Sequence, residues 1–120
     1  MTDKLYLTDG KTTVAPDVLL TIARLTTLGV NGVSHLSMVP SNAVRLFKRG
    51  HVGEGVIIEI EAASVQADIY VVLKPDLNIQ DIGRKIQVEV ARAITEMVGM
   101  PVTAVNIHVE DIKYPTTSEV

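Results

Sequence analysis

From Ile79 to Val98 the chain reads as one amphipathic helix with both ends specified by local chemistry, and an equally legible strand follows it from Val102 to Ile112. At about 100° per residue, Ile79, Ile82, Ile86, Val90, Ala93, Ile94 and Met97 fall on one stripe, with Asp81, Arg84, Lys85, Arg92 and Glu96 outside it. Asn78 supplies an N-cap oxygen and Asp81 puts an anion in the first turn, where the helix dipole favours it. Gly99 supplies a left-handed C-terminal residue, and Pro101 blocks continuation. In the strand, Val105, Ile107 and Val109 alternate with Asn106, His108 and Glu110, which predicts one dry face and one wet face.

The rest of the chain must supply a partner for that helix and strand. With 120 residues and 47% hydrophobic content, there is material for one core, and the reading is a single domain over 1–120. Three Tyr, one Phe and no Trp leave the core aliphatic and nearly exclude stacking platforms for bases. The net charge of −3 argues against bulk attraction to nucleic acid or anionic lipid. No Cys means no disulfide, thiolate metal site or cysteine nucleophile, in keeping with a reducing compartment. Met1 to Gly10 lacks a signal-peptide core, and no stretch approaches the roughly 18 apolar residues of a membrane span, so the expected location is cytoplasmic without direct membrane insertion.

Upstream, Asp9-Gly10 marks a turn between short extended pieces at Leu5-Tyr6-Leu7 and Thr12-Thr13-Val14. A helix is predicted from about Pro16, at its first position, to Leu28, with Val18, Ile22 and Leu25 inward and Leu20, Ala23 and Thr27 on the outer side. Only Asp17 and Arg24 give that helix charge, so its outer side is unusually apolar. Ser34 to Glu54 reads as an irregular connection, with a short helix over Ala43 to Arg49 and glycines at 50, 53 and 55. A hairpin follows, turning at Ala62-Ala63-Ser64. Its inward sets are Val56, Ile58 and Ile60, then Val65, Ala67, Ile69, Val71 and Leu73. Residues 1–11 and 115–120 are expected to fray. The fold class is α+β: a two-layer sandwich with one small antiparallel or mixed sheet and two main helices on one face.

No nucleophile elbow, catalytic carboxylate pair or phosphate loop is present, so the expectation is a non-enzymatic protein with no catalytic, metal or cofactor residues. Two minor alternatives carry residues. Gly50-His51-Val52-Gly53, with Arg45, Lys48 and Arg49 before it, matches the Gly-x-x-Gly loop of KH-type RNA-binding modules, although that loop joins two helices. His108 and Glu110 share a strand face that Asp68 could join from a neighbouring strand, as a carboxylate and imidazole cluster. Apolar residues on predicted wet faces are the stronger signal for self-association or a protein partner: Ile57, Tyr70 and Val72 on the sheet, Val88 on the long helix and Leu20 on the first helix. The open sheet face is the first choice of contact surface.

Asp17-Val18, Ile22-Ala23, Gly29-Val30-Asn31-Gly32-Val33, Asp68-Ile69-Tyr70-Val71-Val72-Leu73, Ile86-Gln87 with Val90, and Val98-Gly99-Met100-Pro101-Val102 leading to Val105-Asn106-Ile107-His108-Val109 resemble the bacterial alkaline shock protein family of envelope stress response proteins. The resemblance spans roughly Thr13 to Ile112, and Ser34 to Glu54 departs most from it. It implies a general stress protein with no catalytic motif. It further implies self-assembly into homo-oligomers and recruitment to the inner side of the cell membrane by a membrane-anchored partner; other members are connected with fatty-acid metabolism.

Overall fold

The computed structural model describes residues 14–46 and 50–112. The order of elements is α1 (Pro16–Leu28), β1 (Val33–Leu36), α2 (Ser41–Leu46), β2 (His51–Val52), β3 (Val56–Glu61), β4 (Ser64–Leu73), α3 (Ile79–Val98) and β5 (Val102–Ile112). The five strands among the described residues form one sheet, so the architecture is α+β as its sequence implies. The expected turn at Asp9-Gly10, the extended pieces before Val14, Lys48, Arg49 and the tail lie outside the described residues.

β4 organises the sheet. β5 runs parallel along one of its edges, while β3 pairs antiparallel with its first six residues and β1 with its last three on the other edge. The two short neighbours meet at Tyr70, whose N–H donates to Gly55 O at 2.8 Å and whose carbonyl accepts from Ser37 N–H at 2.9 Å. β2 pairs antiparallel with β3 at the far side. The β3–β4 turn places Ala62 and Ala63 at φ 49° and 69°, the doubly left-handed geometry that matches strand twist in a two-residue hairpin. The Ser64 hydroxyl closes it by donating to Glu61 O at 2.8 Å.

α1 and α3 pack side by side over one face of the sheet. Leu19 and Ala23 from α1, Ile82, Ile86, Val90 and Ile94 from α3, and Val56, Ile58, Val65, Ala67, Ile69, Val71 and Leu73 from the sheet form the main core. The caps of α3 are as read: the Asn78 side chain accepts from Asp81 N–H, and Gly99 takes φ 74°. Its stripe is shorter than read, because Ile79 and Met97 near its two ends are exposed and Ala93 is half-buried.

Two expectations need correction. α1 is rotated by about one residue from its predicted orientation: Leu19, Ala23 and Thr27 are buried, Leu20 is half-buried against the core, and Val18 and Leu25 are exposed. Two charges are too few to define a polar side, and the small Ala23 and Thr27 face inward where α1 meets its neighbours. Ser34 to Glu54 is not merely irregular either; it contributes most of β1, α2 and β2. α2 lies on the other face of the sheet, where Ala43 and Val39 cover Ile57 and Tyr70.

Candidate functional site

Burial removes the first-choice contact surface, with α2 and Val39 covering Ile57 and Tyr70. Ile57, Tyr70 and Val72 do point away from the main core, yet they are only 1%, 5% and 7% exposed. Strand alternation correctly assigned the side; it could not reveal a short helix folding back over it. Substituting these residues would test folding and not association.

Beside this covered patch the outer face turns polar, because alternate residues of β4 and β5 lie side by side in parallel register, with Asp68 opposite Asn106 and Tyr70 opposite His108. Asp68 is buried, and both of its oxygens are used: His108 Nε2 lies 2.9 Å from Oδ2, and Asn106 Nδ2 donates to Oδ1 at 3.3 Å. A carboxylate only accepts, so Nε2 carries the imidazole proton. The His108 ring stacks on Tyr70 with centroids 4.3 Å apart and planes 10° from parallel. Burial first, then the negative charges of Asp68 and Glu110, hold the Tyr70 hydroxyl above its ordinary pKa.

Of the imagined carboxylate and imidazole cluster, Asp68 and His108 thus converge, while Glu110 acts on it through its field at Tyr70. Among the described residues no three His, Asp or Glu are placed to hold a metal ion. Asp68 instead ties β5 to β4 across the wet face with two charge-assisted hydrogen bonds. The raised Tyr70 pKa has a testable consequence. The unfolded phenol ionises first, at about pH 10, so the stability that the neutral ring supplies is complete below that pH and is lost as pH climbs towards the folded value. Tyr70→Phe should therefore flatten the alkaline limb of unfolding free energy measured by urea titration between pH 8 and 11. The other two tyrosines ionise in both proteins and cancel in the difference. An unchanged limb would refute the assignment.

The Gly50 to Gly53 tetrad does not form a backbone clamp. His51 and Val52 are strand β2, paired with Ile58 and Ile57, so this backbone is committed to the sheet and joins no pair of helices. Arg45 is exposed in the last turn of α2. The RNA-binding alternative loses its geometry with the loop.

What stays open is the margin formed by α3 and β5. Among the described residues β5 pairs only with β4, leaving its outer edge bare along an eleven-residue strand. Val88 is 52% exposed on the α3 side, and shallow grooves between helix and strand are lined by Ile79, Ala91, Val102, Ile107 and Val109. One edge carbonyl is satisfied internally, where Gln87 Nε2 donates to Val105 O at 2.9 Å. No helix among the described residues is long and apolar enough to cross a membrane.

The uncharacterised protein Spy1535 of Streptococcus pyogenes serotype M6 is 36% identical over 104 residues, covering 86% of this chain and 79% of that protein. The uncharacterised YqhY of Bacillus subtilis strain 168 is 23% identical over 111 residues, covering 92% and 82%. Among solved structures, the copper form of the MamM CTD superposes with a TM-score of 0.57 at 12% identity, over 84% of this chain and 90% of that one. A MamM CTD spanning 215–293 gives 0.51 at 11% identity, over 81% and 99%. At such identities the likeness is one of fold alone. The sequence profile of the alkaline shock protein 23 family, with its cell envelope-related function, matches residues 5–114. The chain belongs to the alkaline shock protein 23 family.

Proposed function

We propose that this protein is a self-associating adaptor of the cell-envelope stress response, joining copies of itself through the α3–β5 margin and held at the inner side of the membrane by a membrane-anchored partner. The outer edge of β5, which pairs with no strand among the described residues, carries this reading. An unpaired edge strand is a template for another strand, and proteins that keep their edges single usually shorten, charge or cover them. Here the edge is long, and Val88 and Val109 beside it are apolar and exposed. A second copy fits such an edge through a two-fold axis, since antiparallel pairing of one strand with itself is self-complementary. Family membership supports the tie to the envelope, and the resemblance to its members supports the anchored partner.

Sedimentation equilibrium of the parent protein, Val88→Asp and Val109→Lys tests the contact. Both side chains are exposed, so each change should alter folding stability by less than about 0.5 kcal/mol. The parent should sediment as a dimer or larger, and both variants should shift towards monomer with unchanged thermal melts. A parent that remains monomeric up to its solubility limit would refute self-association. Variants that assemble like the parent would move the contact elsewhere.

A further inference from the structure

On the opposite side of β4 from β5, three separate segments enclose a cleft of about 570 Å³. The C-terminal half of α1 contributes Arg24 and Leu28, the end of β1 and its following loop contribute His35 to Val39, and the β2–β3 turn contributes Val52 to Gly55. We infer that this cleft is a binding site for a small amphipathic anion, a compact apolar body carrying one acidic head group.

The volume lies within the roughly 300–1,000 Å³ of ordinary small-molecule sites. Leu28, Leu36, Val39 and Val52 make the walls apolar. Met38 stands at the rim 87% exposed, a large hydrophobic side chain with little protein against it. An apolar body in the cleft would remove these surfaces from water.

The polar groups determine the head group. Arg24 lies on the cleft wall with its side chain 34% exposed, and its Nε is 4.0 Å from a Glu54 oxygen. The Glu54 side chain is 83% exposed, so this is a long, solvent-screened pair. A guanidinium has five N–H donors, and among the described residues Glu54 is the one ion-pair partner of Arg24, which leaves donors for an incoming oxyanion. Ser37, also on the wall, has a hydroxyl that is buried and has no hydrogen-bond partner among the described residues. An unpaired buried hydroxyl is costly, but this oxygen is closed to solvent, so recognition of the head group rests on Arg24. Glu54 competes with an anionic ligand for Arg24, so its charge should weaken binding.

The test uses two fluorescent probes of similar shape on the whole protein: 8-anilinonaphthalene-1-sulfonate, an anion, and N-phenyl-1-naphthylamine, which is neutral. The native protein, below its melting transition, should enhance the emission of both. Arg24→Gln, which keeps much of the stem, should weaken the sulfonate by about tenfold, the equivalent of roughly 1.4 kcal/mol, and leave the neutral probe within about twofold. Glu54→Gln should strengthen the sulfonate alone. Val52→Asp should weaken both, and Met97→Glu, at an exposed apolar position away from the cleft lining, neither. Parallel thermal melts separate lost binding from lost fold, and Met38→Glu repeats the apolar arm if Val52→Asp does not fold. No enhancement by the native protein, equal loss of both probes in Arg24→Gln, or loss in Met97→Glu would overturn the proposal; the last would place the dye on an exposed patch of α3.

Discussion

Gly55→Ala is expected to destabilise the protein by about 3 kcal/mol, read as a lower urea midpoint at unchanged slope. Gly55 sits at φ 70°, a conformation that costs an L side chain roughly 1–2 kcal/mol. A Cβ there would also stand 2.7 Å from Leu36 Cβ and 2.7 Å from Ser37 O, with Tyr70 O at 3.2 Å. Two of these three atoms are backbone and belong to the junction where β1 and β3 share the edge of β4, so they cannot rotate aside. Crowding in such a place adds about 1–3 kcal/mol. Gly99→Ala is the internal control: its φ is 74°, yet a Cβ there meets nothing within 4 Å. It should cost only the conformational part, and the gap between the two variants measures how tightly the junction is packed. Equal losses would mean that it relaxes freely.

Ile86→Ala should cost about 3–4 kcal/mol by the same measurement, whereas Ile79→Ala should cost less than about 0.5. The two isoleucines lie on one helical stripe, two turns apart. Ile86 is fully buried between α3 and the sheet, so truncation leaves a cavity as well as losing transfer free energy, while Ile79, the first residue of the helix, is 42% exposed. A domain of this size has a net stability of about 5–15 kcal/mol, so the first loss is a large part of the total. Comparable losses at both positions would contradict the burial pattern of α3.

These contrasts mark where the sequence is informative. Helix α3 was legible from its capping and left-handed ends and strand β5 from its alternation, while the β3–β4 hairpin was legible as two apolar runs meeting at Ala62-Ala63-Ser64, although Ile57, Tyr70 and Val72 break its alternation. For α1 the limits were legible from Pro16 and Gly29, but its rotation was not. A helix with charges only at Asp17 and Arg24 has several plausible inward sides, and only packing selects the one with Ala23 and Thr27. Ile57 and Tyr70 show a different limit. Alternation reports the side of a sheet a residue occupies, and burial then depends on what folds over that side; here it is α2, from the segment with the weakest periodicity. The meeting of Asp68 with His108 was imaginable, since both lie on wet faces, but their register comes from a crossover of 40 residues. The cleft was invisible because Arg24, Ser37 and Val52 come from three unrelated local patterns.

The parallel pairing of β4 with β5 has a kinetic consequence. Hairpin β3–β4 closes across a two-residue turn, while Asp68 reaches Asn106 and His108 only across 38 and 40 intervening steps of chain, with α3 between them. Local closure is fast and distant closure slow, so the last strand should join a platform already assembled from the hairpin and α3. The imidazole that comes to rest on the Tyr70 ring is then a built-in clock for that late event, and the part of the phenolic emission change that His108→Ala abolishes should fall in the final refolding phase.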